Sequence, residues 1–196
     1  ISSQVADDAM TPHDLGRSCV LPREQVDSTT YHEAGHAVMA MAHGFVVTEM
    51  TNIASDAGMG YVKWQTPSPV TTASRIGTVL VLAAGMAADF IHWKRSGGAV
   101  NEDCMGHRSD REQAEVHLAA LGDDGQFDIY LAMAIRFLNV PSVWELVELF
   151  AGLMTAVGTV NGRELIQGVA NRVPKFGSDE LGFLRLALDQ SKRGLL

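Results

Sequence analysis

The chain has 196 residues, a length that fits one compact domain or one domain with a small appendage. Hydrophobic residues make up 46% and charged residues 19%, which is too apolar for a disordered chain. The net charge of −8, with no clustered Lys and Arg, argues against nucleic acid as a partner, because phosphate contacts need grouped cations.

Cys19 and Cys104 make no disulfide framework. Two cysteines beside nine methionines suit a reducing, cytoplasmic setting. The longest apolar run, Val79 to Ile91 (VLVLAAGMAADFI), is shorter than the roughly 18 residues a membrane span needs. Asp89 also interrupts it, so no membrane span is expected. No basic-then-apolar leader opens the chain. Ile1 is not an initiator residue, so the reading frame is expected to begin upstream.

Residues 1–21 lack periodicity and read as an irregular lead-in. Pro22 suits a helix start, and the pattern from Arg23 to His43 is helical, with Gly44 as its stop. Phe45 to Ile53 is β-branched and partly alternating, Ser55 to Gly58 is turn chemistry, and Met59 to Gln65 reads as a second strand. These make a hairpin, which Pro67 and Pro69 end. Thr71 or Thr72 caps a long helix to about Trp93, and residues 96–106 form a loop. Ser109 then reads as the N-cap of a helix over about 110–121, with Glu112 as its capping-box partner. Further helices are predicted over 127–138, from Pro141 to about Val157, from Asn161 or Gly162 to about Arg172, and from a Ser178 cap to about Lys192. The expected fold is mainly α with one small β-hairpin or sheet. Residues 22–173 form its main body, and the 174–196 segment packs on it.

His32-Glu33-Ala34-Gly35-His36 is an HExxH sequence inside the first predicted helix. Residues i and i+4 lie one turn apart on one face, so two imidazoles can share one metal ion. Glu33 stands beside them as a general base for water, and a bound zinc ion lowers that water's pKa to about 7. Ala34 and Gly35 keep the helix slim where a neighbour must approach. Two structural readings compete. Thr30 and Glu33 match a capping box, and the histidines could be satisfied core residues.

A catalytic zinc needs a third protein ligand. Met39 and Ala42 stand where the metzincin pattern requires Gly and His, which excludes that class. Glu49, Glu102, Glu112, Asp56, Asp103, Cys104, His107 and Asp110 remain as candidates.

The run Thr30-Tyr-His-Glu-Ala-Gly-His-Ala-Val38 resembles the peptidase domain of the FtsH family of ATP-dependent zinc metalloproteases. The hairpin from Met50 to Gln65, with Gly60-Tyr61, is similar to that family's strand pair. The helix Arg75 to Ile91 resembles the one carrying a Gly-Gly-Arg-x-Ala-Glu-Glu stretch, here Ala84-Gly85-Met86-Ala87-Ala88-Asp89. Ser96 to Ala114 is similar to the family's Thr-Gly-Ala…Asn-Asp…Ala segment, and Thr159-Val-Asn-Gly162-Arg-Glu164 to its late Thr-x-x-Gly-x-Glu turn. The resemblance covers roughly residues 23–170. It implies Zn²⁺ held by His32, His36 and Asp110, with Asp103 as backup, and Glu33 as the catalytic base. The strand Gly60, Tyr61 and Val62 is expected to hold an extended polypeptide substrate by strand addition.

No GxxxxGK[ST] loop occurs in these 196 residues, so the family's ATPase module either has been separated from this stretch or is no part of the protein, and the irregular lead-in favours the second. The expectation is therefore a free-standing, ATP-independent endopeptidase acting on unfolded or flexible polypeptides. The rival is a zinc-binding, non-proteolytic adaptor or inhibitor. The six-fold ring of the family rests on the missing module, so the oligomeric state stays open. Trp64, Trp93 and Trp144 read as packing residues, the Val38, Met39 and Met41 stripe as core, and Tyr31 as either a packing residue or a support for the site.

Overall fold

The structure, a computed structural model, describes residues 23–55, 58–97, 108–161 and 163–195. The predicted lead-in, Asp56, Glu102, Asp103, Cys104 and His107 lie outside the described residues. Within them the architecture is mainly helical with one small sheet, as the pattern predicts. The order is α1 (Arg23–Ala42), β1 (Val46–Thr51), β2 (Tyr61–Gln65), α2 (Thr72–Arg95), α3 (Arg108–Leu121), α4 (Phe127–Leu138), α5 (Pro141–Val157), β3 (Thr159–Asn161), α6 (Arg163–Ala170) and α7 (Ser178–Lys192).

Helix α1 is the central element. From Ala37 to Ala42 every residue is at most 2% exposed, which is what a helix apolar all round must find when it folds. It packs against α2 on one side and α5 on the other, while α2 carries α3 and α4. It ends at Gly44, whose φ of +76° suits a residue without a Cβ. The α1–α2 approach is close because Gly35 is small. A Cβ there would lie 2.5 Å from the Ala84 carbonyl oxygen and 2.6 Å from Ala88 Cβ.

Helix α2 opens with a capping box at Thr71. The Ser74 amide donates to Thr71 Oγ1 at 3.1 Å, and the Thr71 amide donates to Ser74 Oγ at 2.8 Å. At 24 residues it extends beyond its most apolar run and is long and apolar enough to cross a membrane. Yet 72% of its most apolar window is buried inside the molecule, the pattern of a core helix.

The predicted hairpin forms, with Met50 opposite Val62 and Thr51 opposite Tyr61. The sheet is larger than the hairpin. Thr159–Asn161 pairs antiparallel with β1, so the strand order is β2-β1-β3. Three residues are too short to show alternation, which is why this segment reads as a turn in sequence. The pairing leaves β2 at one edge.

Two predicted caps are corrected. Ser109 lies inside α3 rather than at its N-cap, and Glu112 pairs with Arg108 at 2.8 Å instead of closing a capping box. The last helix is capped at Gly177, whose amide donates to Glu180 Oε2 at 2.9 Å, and Ser178 is its first residue. That helix packs on α4 through buried Leu184 and Leu188, with the Arg136 guanidinium 4.4 Å from the Phe183 ring centroid.

Candidate metal centre

Two helices deliver the candidate ligands. His32 and His36 stand one turn apart on α1, and Asp110 sits in the first turn of α3. His32 Nε2 lies 3.0 Å from Asp110 Oδ2 and 3.0 Å from His36 Nε2, and His36 Nε2 lies 3.2 Å from Asp110 Oδ2. These three atoms can hold a metal ion. A tetrahedral ion with bonds near 2.1 Å spaces its ligand atoms by about 3.4 Å, so the group fits with small adjustments.

The hydrogen bonds behind the rings settle which nitrogens face inward. His36 Nδ1 donates to the Val81 carbonyl oxygen at 2.6 Å. A carbonyl can only accept, so the proton of the neutral ring sits on Nδ1 and the Nε2 lone pair is bare. His32 Nδ1 is 2.8 Å from Asp89 Oδ2, which in the same way leaves its Nε2 lone pair turned to the centre. With both rings neutral, two lone pairs and a carboxylate oxygen converge on one point, an arrangement that calls for a cation, whether a proton or a metal ion. Burial lowers the affinity of both rings for a proton. The Asp110 carboxylate, which accepts from a proton placed on either inward nitrogen, and the Asp89 carboxylate, which accepts from His32, outweigh it, so both rings are raised above the ordinary imidazole range, His32 strongly. Burial pushes Asp110 up, but its bonds to the two histidines win and hold it well below the usual carboxylate range. A proton and a metal ion would compete for this pocket.

Glycine makes the pocket possible. A Cβ on Gly85 would lie 2.6 Å from His32 Cε1, His32 Nε2 and His36 Nε2, so this position of α2 must be bare for the rings to face each other. A Cβ on Gly60 would lie 2.9 Å from Glu33 Oε1, and the hairpin accordingly closes directly over that carboxylate. Glu33 is 6% exposed, and burial raises its pKa above the ordinary glutamate value despite the nearby imidazoles. It borders the same cleft of about 470 Å³ as the three ligand candidates, Gly60, Tyr61 and Val62.

The capping-box alternative for Glu33 fails, because α1 begins at Arg23 and Thr30 lies mid-helix, accepting a bond from Asn52 Nδ2 at 3.3 Å. Glu49 accepts bonds from Tyr61 Oη at 2.6 Å and Lys63 Nζ at 2.7 Å, and Glu112 serves Arg108, so neither joins the metal group. Tyr31 packs against neighbouring rings. Its ring stacks on His92 at 3.8 Å and on Trp144 at 5.7 Å. The Met stripe is core, with Val38 and Met39 fully buried and Met41 1% exposed.

Sequence reasoning missed Asp89 as the partner of His32 and Gly85 as the space that seats both rings. Asp89 did leave a signal. A single carboxylate inside an apolar helix run needs a polar partner once buried. No known protein family's sequence profile matches this chain, and no curated protein matches it.

Proposed function

We propose that this chain is a zinc-dependent endopeptidase that hydrolyses peptide bonds of unfolded or flexible polypeptides. The observation that carries the reading is the convergence of two imidazole nitrogens and one carboxylate oxygen beside a buried glutamate, all in one cleft. His32, His36 and Asp110 would hold the ion. When bound, zinc polarises a carbonyl oxygen and brings the pKa of water to about 7.

The chain's own residues do the rest. Glu33, with its proton affinity raised by burial, takes a proton from the attacking water. The water oxygen bonds to the carbonyl carbon, the carbon–nitrogen bond breaks, and Glu33 passes the proton to the departing amine. Asp89 fixes the His32 ring from behind, and the Val81 carbonyl does the same for His36. Strand β2 is at the sheet edge beside the cleft, so Gly60, Tyr61 and Val62 can add an extended substrate as a further strand. A cleft that takes the chain in extended form selects loose segments over folded ones.

The test is zinc content together with casein cleavage in the absence of ATP. A Glu33→Gln protein is expected to keep its zinc and lose at least ~100-fold in cleavage rate. An active Glu33→Gln protein would sink the mechanism. Zinc retained by the parent chain with no turnover of any polypeptide would favour a non-proteolytic binding protein.

A further inference from the structure

A second cleft opens on another face of α1. It has a volume of about 330 Å³ and shares no lining residue with the cleft of the metal group. Tyr31 and His32 are neighbours in a helix, so their side chains leave it about 100° apart. Tyr31 from α1, His92 from α2 and a stretch of α5 from Glu148 to Ala156 line the second cleft. Its aromatic groups are stacked. The Tyr31 ring lies 3.8 Å from His92 at 15° and 5.7 Å from the buried Trp144 at 10°.

The polar groups from α5 are acceptors. The Trp144 indole N–H donates to Glu148 Oε1 at 2.8 Å, which fixes that exposed carboxylate beside the stack. An ionised carboxylate has further lone pairs to offer. Thr155 donates its hydroxyl proton to the Ala151 carbonyl at 2.9 Å, so its lone pairs are what it can present to a ligand. Gly152 leaves room between these groups, since a Cβ there would meet no heavy atom within 4 Å. Aromatic faces beside acceptors favour a ligand that is flat, positively charged and rich in donors. The stack already takes one such group from its own chain. The Arg95 guanidinium lies 4.7 Å from the Trp144 ring centroid, where its Nη2 donates to Asn139 Oδ1 at 3.1 Å.

We propose that this cleft binds the guanidinium group of an arginine side chain, stacked on the Tyr31–His92 pair and held by Glu148. A guanidinium is planar and always charged, and its donors form a fork that matches a carboxylate. Binding here requires nothing of the metal group.

The experiment is a titration followed by nitrogen–proton correlation NMR. It reads the Trp144 indole N–H, which touches Glu148 and is assigned by the loss of the other two indole signals in Trp64→Phe and Trp93→Phe. Two blocked probes, N-acetylarginine amide and Ala-Ala-Arg-Ala-Ala, distinguish a free guanidinium compound from an arginine within a polypeptide. Both are added to the Glu33→Gln protein, in which a peptide probe stays intact. Among the lining side chains His92 alone can carry positive charge, so the titration runs at about pH 8, where an ordinary imidazole is neutral. A saturable shift of the Trp144 signal by either probe is expected, with at least ~10-fold weaker binding of the matching citrulline compound, which has the same shape and no charge. Glu148→Gln is expected to weaken binding roughly tenfold. Gly152→Leu is expected to abolish it with helicity unchanged by circular dichroism, because leucine is the better helix former and its side chain enters open space. Equal affinity for the arginine and citrulline probes, or full affinity in Gly152→Leu, overturns the site. So does the lack of a saturable shift from either probe by about 20 mM, beyond the millimolar range within reach of a ligand this small.

Discussion

The histidines on helix α1 and the one just past its end behave in opposite ways. His32 and His36 lie mid-helix among Asp89, Asp110 and Glu33, and their proton affinity is raised. His43 follows the helix directly. Its ring packs 4.7 Å from Phe176 and 6.0 Å from Phe45, and its Nε2 has no hydrogen-bond partner among the described residues. Burial there, with no acid to oppose it, lowers the pKa to about 4. The residue type is shared, so it does not by itself make a cation site. Carboxylates brought in from α2 and α3 do.

The largest effect should come from converting the first region into something like the second. Gly85→Ala places a methyl 2.6 Å from both imidazole nitrogens, which must then swing apart. The expected outcome is a loss of zinc affinity of more than ~100-fold with helicity retained, read by competition with a chromophoric chelator and by circular dichroism.

His43 offers the complementary test through pH. The fold holds this ring neutral, whereas the unfolded chain takes up a proton below about pH 6.5. Its contribution to stability is therefore constant above pH 6.5 and is lost as pH falls from there toward 4. The loss amounts to about 3 kcal/mol at the acid end. His43→Leu should show a stability gap to the parent protein that shifts by about 2 to 3 kcal/mol in the variant's favour between pH 7 and pH 4.5, measured by denaturant unfolding. A gap independent of pH would mean that the ring is solvated. In the metal-free chain the raised His32 and His36 act with the opposite sign. Their stabilisation is present at low pH and lost as pH rises through their folded pKa values.

A smaller step strips one acid from the first region. Asp89→Asn keeps the shape of the side chain but removes the charge behind His32 Nδ1. Zinc affinity should fall roughly 10- to 100-fold with one ion still bound, and casein cleavage should recover at saturating zinc. Full affinity in this variant would reduce Asp89 to a packing residue.

Most of this was legible because it is local. The HExxH spacing, the Thr71 cap, Pro141 at the start of α5 and the hairpin alternation all declare themselves within a few residues. Asp110 stood among several candidate ligands by residue type and position, and only a resemblance singled it out, since no spacing along the chain says that the first turn of α3 meets the middle of α1. Asp89 and Gly85 needed the α1–α2 crossing itself, because a carboxylate and a missing Cβ acquire meaning only from what lies opposite. Strand β3 was hidden for the same reason. Its three residues form a strand only because β1 offers an edge to them.

The smallest expected effect tests whether charge near the site is enough. Glu49 and Glu112 were both candidate third ligands by sequence. Glu49 is held by Tyr61 and Lys63 on the hairpin, and Glu112 by Arg108 on α3, two residues beyond Asp110 but turned to solvent. Glu49→Ala and Glu112→Ala should each leave zinc stoichiometry and affinity within about twofold of the parent protein, since screened surface charges contribute little across water. Asp110→Ala, by contrast, should abolish tight binding. If Glu112→Ala weakened zinc as much as Asp110→Ala, the first turn of α3 would have to be rotated from the position described, and the contrast between a histidine pair built around acids and a histidine packed without them would lose the acid that defines it.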